Sequence, residues 1–373
     1  MRISVPREVK NNEHRVAVTP VGVQELTQRG HEVIVEAGAG VGSTFDDDDY
    51  REAGATVVDD AAKVWEDAEL VLKVKEPIEE EYGYLREGLT VFTYLHLAAD
   101  EPLVDALLGS GCTSIAYETV QEPSGLLPLL YPMSEVAGCL APQLGAHHLM
   151  KKQGGRGVLM GGVAGVPNAN VLVLGGGTAG QNAVNIALGM NADVTVLDTD
   201  IDKLRQAYWR WENRVRGLRS SEQTIRELLP EADLVIGTVL IPGGRTPELV
   251  TNEMVATMKP GSVLVDVSID QGGCFQDSRP TTHDAPTFQV HGSLFYCVGN
   301  MPALVPTTST WALTNATLPY VQQIAEHGWR EAMEANVALS KGLATHAGKL
   351  VSRPVAEAFG REWTPLDDVL NAG

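Results

Sequence analysis

The stretch VLVLGGGTAGQNA, residues 171–183, decides how this chain folds. Its first four residues, Val171 to Leu174, are apolar and read as a short strand. Gly175, Gly177 and Gly180 follow in G-x-G-x-x-G spacing and open a run that reads as a helix. Such glycines permit a tight turn and let a pyrophosphate approach the backbone at the helix N-terminus. The spacing alone is weak, so its context has to carry it. The next apolar run ends in Asp198, about 18 residues past the last glycine, where this pattern places a ribose-binding acid. A carboxylate there accepts two ribose hydroxyls and repels a 2′-phosphate. No arginine directly follows Asp198, and Lys203 comes a helical turn later. NAD is therefore expected rather than NADP.

Working outward, NVLVL, DVTVLD, DLVIGTVLI and SVLVDVSID are apolar runs without polar alternation. Parallel strands covered on both faces look like this. Val239 and Leu240 close one run and Asp270 another, at the carboxyl ends where doubly wound sheets bind ligands. Asp270 also has a plainer reading, as a turn residue before Gly272. Residues 1–120 show a second βαβ rhythm. ISVP, HEVIVEA, LVLKVK, LTVFTYL and TSIAYE read as strands, with helices at VGVQELTQRG, AAKVWEDA and DEPLVDALLGSG.

Between the two series lies QEPSGLLPLLYPMS, rich in proline and glycine as boundaries often are. SEVAGCLAPQLGAHHLMKK then reads as a long helix, with Ser134 as N-cap candidate and Glu135 in its first turn. QGGRGVLMGGVAGVP is too rich in glycine for an element and reads as a loop. From Val305 the chain turns helical for long enough to cross back to the first domain. The expected fold class is α/β, with two Rossmann-like domains, mostly parallel doubly wound sheets and a discontinuous first domain. Residues 1–128 plus 307–373 are expected to form the substrate and catalytic domain, and 129–306 the NAD-binding Rossmann domain.

A length of 373 residues suits two domains, and 44% hydrophobic with 20% charged residues suits a folded globule. The formal net charge of −20 argues against nucleic acid or an anionic membrane as partner. That surplus fits either a salt-adapted source or ordinary solubility. The run Asp46 to Asp49 reads most simply as a solvated helix start. The four cysteines are scattered without a CxxC pair, which points away from disulfides and zinc and toward a reducing compartment. The N-terminus lacks an apolar h-region, and no window approaches the ~20 apolar residues of a membrane span. A cytoplasmic protein is expected.

Chemistry on a small acid needs cations for its carboxylate and a proton-transfer group. Arg15 in NNEHRVAVTP, Lys75 in LVLKVKEP and His96 in LTVFTYLHLAADEP each have a bland reading: a surface arginine, a snorkelling lysine and a hydrogen-bonded core histidine. Their coincidence at strand ends of one βαβ series carries more weight. In a parallel sheet these ends share one edge.

The N-terminal stretch VPREVKNNEHRVAVTPVGVQELTQRG and the cofactor stretch VLGGGTAGQNAVNIALGMNADVTVLD occur with VLKVKEP, PMSEVAG and QGGRGVLMGGVAGVP between them and DQGGCFQDSRPTTHDAPTF and VGNMPALVPTTST after them. In this the chain, from Met1 to about Glu357, resembles the alanine dehydrogenase/pyridine nucleotide transhydrogenase family, on its alanine dehydrogenase branch. The resemblance implies L-alanine, NAD and water giving pyruvate, ammonium and NADH. It implies Arg15 and Lys75 as ligands of the substrate carboxylate and keto oxygen, with Met133 lining the pocket and Asn300 beside the substrate. His96 would be the general acid/base and Asp270 its catalytic partner. Cofactor contacts would come from Ser134, Thr178, Ala179, Asp198, Lys203, Ser220, Val239, Leu240, Val267, Ser268, Ile269, Asp270, Arg279, Val298, Gly299, Asn300 and Met301, along with Gly175, Gly177 and Gly180. A homohexamer is implied as well.

Three positions depart from the family pattern. Asn191 stands for a usual glycine, a mild change because asparagine tolerates left-handed backbone. Ser4 also replaces a usual glycine. The helix that carries a Glu/His divalent-ion pair in some members has His327 but Gln323, so no metal is expected. Rival readings are a membrane-partnered transhydrogenase component, a lysine-type dehydrogenase and an NAD-sensing regulator. The first needs membrane helices or a membrane partner, and the last has no use for the Arg15, Lys75 and His96 set.

Overall fold

The computed structural model of the protein describes residues 1–239 and 246–371. It contains two compact units, Met1–Met133 with Ala303–Gly373, and Ser134–Pro302. Each unit is an α/β fold around one mostly parallel sheet.

The first unit holds β1 (Arg2–Val5), β2 (Glu32–Glu36), β3 (Thr56–Val58), β4 (Leu70–Leu72), β5 (Thr90–Thr93) and β6 (Thr113–Ala116). These run parallel, in the order β6-β5-β4-β1-β2-β3. Every residue of β4, β5 and β6 is buried, as strands covered by helices on both faces require. The crossing helices start where the sequence offers caps. Thr19 caps the helix Pro20–Gln28, whose leading proline needs no N–H partner, and Gly30 leaves it at φ +86°. The acidic run is a helix start: Asp46 and Asp49 form a capping box on Asp47–Glu52.

The second unit holds β7 (Asn170–Leu174), β8 (Asp193–Asp198), β9 (Val215–Arg219), β10 (Leu234–Gly237), β11 (Val263–Asp266), β12 (Thr287–Val290) and β13 (Ser293–Tyr296). Their order is β12-β13-β11-β10-β7-β8-β9, and only β12 runs antiparallel to its neighbour. The β12–β13 hairpin, turned at His291 and Gly292, is an element that the sequence reading lacked. Leu172, Leu174, Val235, Leu264 and Phe295 meet in the core over one face of this sheet. Burying one such side chain contributes about 1.5–3 kcal/mol.

The first unit is completed late in the chain. After the helix Pro306–Ala335, β14 (Leu343–His346) pairs antiparallel with β6, and β15 (Lys349–Leu350) pairs with β14.

Two local readings need correction. The long helix runs Tyr131–Leu149, so Ser134 lies inside its first turn and is not its cap. The cause is Pro132, a residue suited to a first turn, which lets the proline-rich boundary run straight into the helix. Lys75 and His96 do not end strands either; each lies three residues beyond one, past Leu72 and Thr93. Asn191 does adopt left-handed backbone, φ +59°, so it serves the turn in place of glycine.

Candidate active site

In the second unit the glycine loop is built for close backbone approach. Gly175 has φ +107°, and a Cβ on Gly180 would meet the Gly175 carbonyl oxygen at 1.8 Å. Thr238, just past β10, donates its hydroxyl to the carbonyls of Leu174 and Gly175 at 3.0 Å each. The helix Thr178–Gly189 then begins from Gly177, which supplies no side-chain cap. The first-turn amides of Thr178, Ala179 and Gly180 thus form the positive end of a helix dipole suited to an anion.

Asp198 closes β8 and is buried. Its Oδ2 accepts the Gly176 N–H at 2.7 Å and its Oδ1 the Asp200 N–H at 2.8 Å, while Lys203 Nζ lies 3.5 Å from Oδ2. The carboxylate is thereby tied to the glycine loop itself. Ser220 donates its N–H to the Asp198 carbonyl at 2.9 Å. These residues fit a dinucleotide: an acid for ribose next to an anion-binding helix start.

Val239 is half-buried beyond β10, and Leu240 lies outside the described residues. Val267 and Ser268 follow β11, where buried Asp266 accepts the N–H groups of Ser268 and Cys274 at 3.0 and 2.9 Å. Burial pushes the Asp266 carboxyl up, against its hydrogen bonds with Ser278 and Cys274. Ile269 is buried and Asp270 exposed in the tight turn Ile269–Gln271. Asp270 Oδ2 lies 3.4 Å from the Asn300 N–H, and a Cβ on Gly299 would meet its Oδ1 at 2.8 Å. Asp270, Gly299 and Asn300 therefore form one cluster, flanked by buried Val298 and Met301. Ser134 is half-buried in the long helix. Arg279 packs its guanidinium over the Phe288 ring, 4.4 Å from the centroid.

In the first unit, strand register sets the geometry. β4 pairs with β5 through Leu72 and Phe92, so Lys75 and Leu95 leave the sheet level with each other. Thr93 Oγ1 donates to the Lys75 carbonyl at 3.0 Å, and Tyr94 N–H to the Val74 carbonyl at 3.4 Å. His96 is exposed in left-handed backbone, φ +47°, with its ring parallel to that of Tyr94 at 5.7 Å. Tyr94 is buried, and its phenol donates to the Leu129 carbonyl. Burial raises that phenol far above its ordinary value, while the field of Arg15 opposes the rise. Arg15 is buried with Nη1 3.1 Å from Met133 Sδ. The unit thus gathers Arg15, Met133, Tyr94, His96 and the Lys75 exit.

Several acids that the sequence reading missed hold this group. Glu13 pairs with the Arg15 guanidinium through Nε, 2.7 Å, and Nη2. Burial disfavours the Arg15 charge, but the Glu13 bonds outweigh it and hold the guanidinium above its ordinary range. Glu8 Oε1 accepts the N–H of Val74 at 2.6 Å and of Lys75 at 3.3 Å. Lys73, fully buried, lies 3.2 Å from Glu8 and 2.8 Å from Glu81. Three buried carboxylates (Glu8, Glu13, Glu81) thus face two buried cations. The imbalance falls on Glu8, whose carboxyl burial raises despite Lys73. Glu76 sits lower than usual: Lys75 and Lys10 outweigh its burial. On β6's exit, Glu118 accepts the His96 N–H at 2.6 Å. The nearest sequence signal was Lys73, a charge in an otherwise apolar strand run.

Gln323 accepts a hydrogen bond from Asn336 at 2.9 Å, and the helix breaks just beyond His327, at Gly328. Among the described residues no group of three His, Cys, Asp or Glu side chains is placed to hold a metal. No described helix is long and apolar enough to cross a membrane.

The family model described as "Alanine dehydrogenase/PNT, N-terminal domain" matches residues 4–137, and its C-terminal counterpart matches 141–353. The chain is 61% identical over 370 residues to a protein named alanine dehydrogenase from Mycobacterium tuberculosis (strain CDC 1551 / Oshkosh), covering 99% of this chain and 100% of the relative. It is 60% identical over 364 residues to one of the same name from Mycolicibacterium smegmatis, covering 98% of each. A solved structure of an L-alanine dehydrogenase superposes with TM-score 0.94 at 47% identity, over 96% of this chain and 99% of that one.

Proposed function

The chain belongs to the alanine dehydrogenase/PNT family, and from that premise we infer that it is an L-alanine dehydrogenase using NAD. The reaction is L-alanine + NAD⁺ + H₂O giving pyruvate + NH₄⁺ + NADH + H⁺. The observation that carries the residue roles is the register of the first unit's sheet, which brings the Lys75 and Tyr94–His96 exits together. Buried Arg15, oriented by Glu13, supplies the fixed charge that a carboxylate needs.

When bound, the nicotinamide supplies the hydride acceptor. The protein's own part is binding and proton transfer. Arg15 holds the alanine carboxylate. Lys75 stabilises negative charge on the oxygen that becomes the keto group. His96 takes protons from, and returns them to, the water that attacks the oxidised Cα, so oxidation requires the neutral imidazole. Asp270 assists deprotonation and offsets positive charge on nitrogen. Met133 and Asn300 border the substrate. The remaining contacts named from the resemblance, from Ser134 to Met301, belong to this proposal as cofactor contacts, Leu240 among them.

The test is direct: purified protein, L-alanine and NAD, with NADH read by absorbance and no partner protein. Sustained NADH formation is expected, with alanine leading a panel of small L-amino acids. A panel with no turnover sinks the reading.

Asp198 underlies the choice of NAD. Its carboxylate is held against the glycine loop, where a 2′-phosphate would meet like charge. We expect kcat/KM with NADP to be at least about tenfold below that with NAD, a difference of about 1.4 kcal/mol. Asp198→Ser should narrow the gap, and equal values in the unaltered protein reject the assignment. A homohexamer and a cytoplasmic location complete the proposal, resting on the family resemblance. Sedimentation should give about six times the 40.0 kDa chain mass, and a monomer would count against it.

A further inference from the structure

We propose that Glu118 is the positioning residue for the His96 imidazole; the inference rests on the acid–base role assigned to His96 above. β5 and β6 run parallel and pair Thr93 with Ala116. Two residues further on, Glu118 stands beside Leu95, where β5's chain turns away from the sheet. Its carboxylate accepts the Leu95 N–H at 3.3 and 3.2 Å and the His96 N–H at 2.6 Å. These two amides have left the strand ladder, and Glu118 replaces the partner they lost.

The turn they define is unusual. His96 takes φ +47°, ψ 38°, left-handed backbone that a residue with a Cβ adopts at a cost. The Ala99 N–H closes the turn on the His96 carbonyl at 3.1 Å. Left-handed backbone at this one residue directs the imidazole onto Tyr94, whose ring lies within 4° of parallel. Tyr94 is itself fixed by its bond to the Leu129 carbonyl and by edge contact with Tyr117 at 5.1 Å. The platform beneath the imidazole is thus rigid, and the backbone that delivers the ring to it is held by one carboxylate. Without that acceptor, residues 95 and 96 relax toward extended backbone and the ring swings away.

The experiment compares three substitutions, alone and with His96→Asn, in steady-state alanine oxidation and NADH binding. Glu118→Asp keeps the charge but retracts the oxygens by one methylene; Glu118→Gln keeps the reach and an acceptor oxygen. Glu118→Ala removes both. We expect kcat to fall about tenfold or more in the Asp and Ala variants, since misplacing a reacting group by about 1 Å costs up to about 10²-fold. The Gln variant should stay within about threefold of the parent, and NADH affinity should be unchanged in all three. In the His96→Asn background, Glu118→Ala should cost less than about threefold, because the group it positions is gone. Parental kcat in the Asp variant overturns the proposal, as does equal loss from Glu118→Ala in both backgrounds. If His96→Asn alone leaves kcat intact, the acid–base reading of His96 fails first and takes the proposal with it. If His96→Asn is inactive while Glu118→Asp is not, only the proposal fails.

Discussion

Replacing His96 by asparagine is expected to lower kcat for alanine oxidation by about 10²-fold or more, the usual contribution of a general acid–base group. Asparagine is the informative substitution because His96 sits at φ +47°. It tolerates left-handed backbone better than other polar residues, so the turn held by Glu118 survives. It can donate and accept hydrogen bonds but cannot carry a proton between substrate and solvent near neutral pH. NADH affinity, which we assign to the other unit's glycine loop and Asp198, should not change. A variant that keeps kcat within about threefold would exclude proton transfer by His96 and return the side chain to its bland reading.

The second large effect is on stability. Lys73→Met removes one of two cations from a cluster of three buried carboxylates. Breaking a buried pair by deleting one partner typically costs about 3–5 kcal/mol. Urea or thermal unfolding should show a loss of that order, and a loss below about 1 kcal/mol would mean that Lys73 does not hold the cluster. The pH dependence has a definite sign. Burial already raises the Glu8 carboxyl above its ordinary value, and Lys73 is the main group that opposes that rise. Without Lys73 its folded-state pKa rises further. A raised carboxyl favours folding below its unfolded pKa, and that contribution is lost as pH climbs through the folded value. The deficit relative to the parent should therefore be smallest in acid and grow as pH climbs through the parent's raised Glu8 value. Lys73→Met combined with Glu8→Gln should recover part of the loss.

The parts of the fold that were legible in the sequence have local causes. The glycine loop announces itself because each glycine answers a contact within a few residues, such as Gly180 against the Gly175 carbonyl. The continuous apolar runs of β7, β8, β10 and β11 signal parallel strands because both faces are covered. Arg15, Lys75 and His96 stood out because all three fall just past apolar runs of one βαβ series. What was illegible acts across the chain. Glu8 reaches Val74 and Glu118 reaches His96 only because strand register brings them side by side. In sequence, Glu8 and Glu118 look like ordinary solvated acids. Strand ends were also overestimated: Tyr94 and Leu95 continue the apolar pattern of β5 while packing beyond its ladder, and composition does not distinguish the two.

The late position of β14 has a consequence for how the molecule is made. β6 ends at Ala116, but its partner on that side comes from Leu343–His346. Ribosomes add about 5–20 residues per second, so the two are separated by tens of seconds of synthesis. All of β7 to β13 emerges in that interval. Until residues 343–346 arrive, β6 is an unpaired sheet edge, the kind of surface on which nascent chains stick to one another. The first half of the protein to leave the ribosome is therefore the last to be finished.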